Sequence, residues 1–286
     1  MLGDRMSRDS PGHRNIRKPA FSGLFYPADP DSLREVVRHC LARPAGAATQ
    51  KPRILIVPHA GYLYSGPVAG AGFAQVRDCS TVILLGVSHR HSFETVAAYF
   101  GMGWQTPLGT VLIDRQMVLK LVNTCPLVSI NNSVHRYEHT LEVQLPFLQE
   151  VLEDFRIVPL LLGNQAATGE ISTAIAQVLD DQTLLVVSSD LCHYPGRDDA
   201  ESVDRQTIEA ILSADPENFQ KVVTGQLRKG VQGLLTCACG ATAIEVALRV
   251  AQMLCLGQPR LLAYQNSGEV TGDARTVVGY ASIAFC

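Results

Sequence analysis

Three polar groups stand just past the ends of apolar runs. His59 follows the run in RILIVPHAG (53–61), His89 ends TVILLGVSH (81–89), and Asp190 ends TLLVVSSD (183–190), with Cys192 and His193 immediately beyond it. Imidazoles and carboxylates bind transition metals and move protons near neutral pH. A histidine after a strand is commonly a loop residue bonded to backbone. Three such groups in equivalent places point to a shared edge, because ligands of open α/β sheets bind outside the carboxyl ends of the strands. His13 and His39 are given no role, and His91 can point either way.

Two further patterns carry chemistry. His139 and Glu142 in EHTLE are three apart, so a helix would put them on one face, where such a pair serves a metal or a proton transfer. The same spacing also suits a solvated helix start above core leucines. In TCACGATAIEVAL, Cys237 and Cys239 precede a helical pattern. The helix dipole at such a place favours thiolate, although free cysteine is also among the most commonly buried residue types. The glycine-rich stretch HAGYLYSGPVAGAGF matches neither a dinucleotide fingerprint nor a phosphate loop, and the chain has no G-x-S-x-G elbow.

The elements that must position these groups are legible. RILIV, TVILLG, FRIVPLLLG (155–163) and TLLVVS are near-continuous Val/Ile/Leu runs without alternation, as strands buried on both faces are. Helical patterns lie between them. The alternation predicts an α/β fold, one domain with a central, largely parallel or mixed sheet flanked by helices. Residues 263–285 read as a turn-rich stretch leading to a closing strand near a sheet edge. Residues 1–17 read as a loose tail, and 18–286 as the domain.

Composition excludes several classes. The chain has 286 residues, 47% hydrophobic and 18% charged, enough for a sizeable core, and a formal charge of -3. Lys and Arg are scattered, so neither nucleic acid nor an anionic membrane is expected as a partner. No apolar run approaches the ~20 residues that span a bilayer. The eight cysteines form no CxxC pair, which suggests a reducing cytoplasm rather than disulfide staples.

PAFSGLFYPAD, VPHAGYLYSGPVAG, LLGVSH, EHTLEVQLPFLQ, VVSSDLCHY and CACG occur in this order and together resemble the Memo family, from about Lys18 to the C-terminus. The Memo fold is similar to that of class III extradiol dioxygenases, non-heme iron enzymes that open catechol rings with iron held by two His and one carboxylate. The resemblance implies a mononuclear metal, iron first and copper or zinc as alternatives, held by His59, His89 and Cys239, the thiolate replacing the carboxylate. Cys237 and Cys192 are alternative thiols. His193 becomes an acid or base oriented by Asp190, and His139 and Glu142 become pocket residues. Gln144 and Ala241-Thr242-Ala243 stand where animal members carry His and Arg-His-Pro, which takes polar groups from the expected pocket rim and counts against phosphotyrosine-peptide binding. Genes of bacterial and archaeal members often neighbour those of radical-SAM proteins, which implies a shared pathway.

Three functions remain in view. The first is a metal-dependent oxidase or dioxygenase-like enzyme acting on a small organic substrate. The second is a non-catalytic pocket that binds a peptide or protein partner. The third is a zinc hydrolase with Glu142 or His193 as base.

Overall fold

The four expected strands are neighbours in a single sheet. The computed structural model describes residues 15–42, 51–163 and 167–286. Its strands are β1 (Ile16–Arg17), β2 (Ile54–Val57), β3 (Thr81–Val87), β4 (Val96–Ala98), β5 (Gly103–Thr106), β6 (Gly109–Ile113), β7 (Val128–Ile130), β8 (Arg156–Leu162), β9 (Thr183–Ser188), β10 (Arg260–Asn266) and β11 (Gly279–Phe285). Their order is β1-β5-β6-β8-β3-β9-β2-β11-β10, with β4 on β8 and β7 on β4. The centre, β8-β3-β9-β2, is parallel, whereas β11 and β10 close one side antiparallel. Ile54, Leu55, Ile56 and Val57 are all buried, as are the first six residues of β3. Burial on both faces is why these segments carry no alternation.

The helices are α1 (Pro30–Leu41), α2 (Tyr62–Phe73), α3 (Arg115–Thr124), α4 (Asn132–His135), α5 (Leu145–Val151), α6 (Thr168–Ala176), α7 (Arg197–Leu212), α8 (Pro216–Arg228), α9 (Ala241–Met253) and α10 (Ser267–Thr271). One layer contains α2 on β2, β10 and β11, and the other contains α9 on β2, β3 and β9. Gly70 and Gly72 let α2 press against its neighbours, since a Cβ would strike the Cys40 backbone at one and Ser282 at the other. None of the described helices is long and apolar enough to cross a membrane.

Two expectations need correction. The predicted tail ends too late: residues 1–14 lie outside the described residues, but Ile16 and Arg17 pair with Gly103 and Trp104, and Arg17 is buried. The helix expected from His139 is also shorter. A 3-10 turn covers Glu142–Gln144 and α5 begins at Leu145, leaving His139 in a non-helical turn. Leucine spacing suggested the longer helix, but backbone groups at 139 and 140 bond to the Glu138 carboxylate instead of continuing a helical ladder.

Away from the strand ends, a buried carboxylate joins three elements. Asp204 on α7 accepts hydrogen bonds from the Cys192 N–H (3.0 Å) and the Tyr264 hydroxyl of β10 (2.9 Å). Burial pushes its carboxyl up from 3.8 to about 6. A folded pKa above the unfolded one means that the folded state holds the proton more tightly. The stability from this group is therefore full below about pH 4 and is lost as pH rises through 6, about 3 kcal/mol in all. Urea midpoints should fall from pH 4 to 6.5, and Asp204→Asn should flatten that fall by its share. An unchanged slope would assign Asp204 an ordinary pKa.

Candidate metal centre

Three parallel strands deliver the site. His59 lies two residues past the end of β2, His89 two past β3, and Asp190 two past β9. Because β9 runs between β2 and β3, all three groups emerge at one edge. The His59 N–H donates to Asp190 Oδ1 at 2.7 Å, and the His59 and His89 rings lie 5.3 Å apart. Cys239 enters from the turn before α9. Its N–H bonds to the Asp190 carbonyl (3.3 Å), and its Sγ sits 3.2 Å from His59 Nε2. Gly240 lets this turn approach, since a Cβ there would lie 2.7 Å from that of Ser189.

One ligand atom from each of His59, His89 and Cys239 falls within 4.8 Å of the others. Ligands at about 2.0–2.3 Å from a tetrahedral ion lie roughly 3.3–3.8 Å from one another, so small shifts close this set on a metal. Borderline and soft ions such as iron, copper and zinc suit imidazole with thiolate.

What stands behind the histidines fixes their orientation. The Ser188 hydroxyl donates to the Thr140 carbonyl (2.7 Å) and accepts from Gln144 Nε2 (3.0 Å). With its proton committed, it accepts from His59 Nδ1 (2.9 Å), leaving the Nε2 lone pair towards Cys239. Glu138 serves the other two rings. Its carboxylate accepts from the N–H groups of His89 (2.7 Å), His139 (2.9 Å) and Thr140 (3.2 Å). It also faces Nδ1 of His139 (3.0 Å) and of His89 (3.5 Å). Burial alone would raise this carboxyl, but hydrogen bonds from His139 and His89 outweigh it and hold it well below the usual range. It stays an anion with both Nδ1 edges turned towards it.

The pattern described as "Memo-like protein" matches residues 17–284. The chain belongs to the Memo family. It is 36% identical to a MEMO1 family protein of Methanopyrus kandleri, over 94% of this chain and 98% of the relative. A MEMO1 family protein of Nitrosopumilus maritimus is 34% identical, over 94% and 99%. An uncharacterized protein from Escherichia coli K12 has a solved structure that shares the fold, with TM-score 0.51 and 13% identity, over 82% of this chain and 99% of that one.

In this Memo chain the expected site residues divide. His59, His89, Cys239, Asp190 and His139 come together, the His139 ring lying 5.3 Å from His59 and 5.2 Å from His89. Burial pushes the Asp190 carboxyl up to about 6 and the Cys239 thiol well above its ordinary value. Burial thus overrides the helix-end effect expected to favour thiolate. His193 lines a cavity of about 370 Å³ with Val87, His89, Leu162, Leu235 and Cys239. Burial and the nearby His89 lower its pKa to about 4, and its Nε2 is buried without a protein partner.

Glu142 does not join them. Its carboxylate pairs with Arg17 (2.5 Å) and accepts from the Ala20 and Phe21 N–H groups and the Tyr26 hydroxyl. Once the helix starts late, His139 and Glu142 no longer share a face, and Glu142 anchors the N-terminal segment instead of serving as an acid or base. Cys237 and Cys192 are both fully buried in a small apolar cluster, which leaves Cys239 as the thiol of the site. Gln144, expected at the rim, lies fully buried beneath His59 and bonds Ser188. Thr242 does line the cavity. Glu138 is the residue sequence reasoning missed; its signal was its place immediately before His139.

Two isosteric changes separate these glutamates. Glu138→Gln should weaken metal binding by about 10–100-fold in competition with a chelator, with the fold retained. Glu142→Gln should leave metal affinity unchanged and cost about 3–5 kcal/mol of unfolding free energy, because Arg17 is stranded. The reverse pattern would exchange the two roles.

Proposed function

We propose that this protein is a metal-dependent oxidoreductase that acts with dioxygen on a small, uncharged organic molecule bearing a hydroxyl. The observation that carries the reading is the convergence of His59 Nε2, Cys239 Sγ and His89 beside a cavity that His193 also lines. Iron is the first choice of metal and copper the second. Bound there, it would supply electron transfer between substrate and dioxygen.

The chain's own groups divide the remaining work. Val87, Leu162 and Leu235 give the cavity apolar walls, and Ser88, Thr236 and Thr242 add hydroxyls, with no Lys, Arg, Asp or Glu lining it among the described residues. A neutral substrate fits such a lining better than an ionic one. His193, neutral at pH 7, is the lining group able to accept the substrate's hydroxyl proton. Glu138 and Ser188 hold three imidazoles in position before substrate arrives, which lowers the reorganisation needed during reaction.

A second reading, a non-catalytic pocket for a peptide or protein, is favoured by two exposed apolar side chains: Leu235, which lines the cavity and is 68% exposed, and Tyr194 beside His193, at 50%. Elemental analysis of protein purified without oxygen separates the readings. About one iron or copper per chain, lost in His89→Ala and in Cys239→Ala, is the expected result. His193→Asn should keep the metal and lose oxygen consumption in a screen of phenolic and alcoholic substrates. Zinc in that place would favour hydrolysis. Failure to take up any metal would remove both enzyme readings.

A further inference from the structure

A larger cavity, of about 580 Å³, lies outside the metal centre and shares no lining residue with it. Its walls include Arg17, Lys18, Arg136, Asn132, Ser133 and Tyr137, and no Asp or Glu among the described residues. In a chain of formal charge -3, three cations around one cavity are a local excess. Arg17 is neutralised by Glu142 and has its donors occupied by Glu142, the His135 carbonyl and the Glu138 carbonyl. The other two are different. Lys18 Nζ donates only to the neutral Gln105 Oε1 (2.7 Å), and Arg136 lies 5.7 Å from the Tyr137 ring centroid. Among the described residues neither forms an ion pair with a carboxylate.

We propose that this second pocket binds a small organic anion, its carboxylate or phosphate group held between Lys18 and Arg136. The guanidinium fork suits either oxyanion, and the ammonium adds a point charge. The volume matches a small metabolite. A neutral donor is close by: Asn132 shares the wall, and its Nδ2 carries a second proton beyond the one given to the Phe100 carbonyl. The segment from Arg17 to Phe21 separates this pocket from the metal centre: Lys18, Pro19 and Ala20 line it, while the Phe21 ring packs 5.5 Å from that of His139. The two sites therefore take ligands of opposite character, a neutral molecule at the metal and an anion here.

The test is calorimetric titration of the full chain with sodium phosphate and, separately, sodium succinate, at constant ionic strength set by sodium chloride. The expected result is saturable one-to-one binding of at least one, and which of them binds tells phosphate from carboxylate. The exposed double variant Lys18→Ala/Arg136→Ala should weaken it by about tenfold or more. His89→Ala should leave it within about twofold, because His89 is not among the residues that line this pocket. Three results would overturn the proposal: no saturable binding of either anion, wild-type affinity in the double variant, or loss in His89→Ala, which would put the anion at the metal centre.

Discussion

Two of the imidazoles at the candidate metal centre, His89 and His139, hang on a carboxylate that water does not reach. Glu138 is 1% exposed, and burying an anion is costly unless it is fully hydrogen-bonded. Here the chain supplies the donors by bending the 138–140 backbone around the carboxylate and bringing the N–H of His89 from the end of β3. Satisfying that one charge forces the turn, stops the helix from starting early, and aims two imidazoles at once. Gly86 belongs to the same constraint: a Cβ there would lie 2.9 Å from Leu141 and 3.1 Å from Thr140, so the turn can settle on β3 only because the strand carries glycine.

The parts of the fold legible in the sequence are those where one force dominates. Double burial writes continuous apolar runs, so β2, β3, β8 and β9 and the groups at their ends could be read directly. The short strands β4 to β7 could not: β4 and β5 are only three and four residues long, β6 exposes three of its five residues and β7 two of its three. Between Cys237 and Cys239 the sequence left a choice of one thiol in two. The backbone pairing around His193 and Thr236 decided it, turning Cys237 into the apolar cluster while Cys239 meets His59.

The confusion of Glu138 with Glu142 is of another kind. Both flank the same histidine motif, and helical spacing favours Glu142. Which one serves the imidazoles depends on Arg17, 125 residues away from Glu142, whose guanidinium claims that carboxylate and whose remaining donors cap the 135–138 turn. No local pattern contains that information. Long-range charge pairing has to be seen in three dimensions.

The two closest donors of the centre, His59 and Cys239, are 180 residues apart in the chain. A cation shared between them would act as a removable cross-link, tying the first strand of the parallel core to the last helix that packs upon it. Closing so long a loop restricts the unfolded chain far more than the folded one, as a disulfide does, but with ligands that can be released. In this architecture an ion bound there would contribute to the integrity of most of the chain.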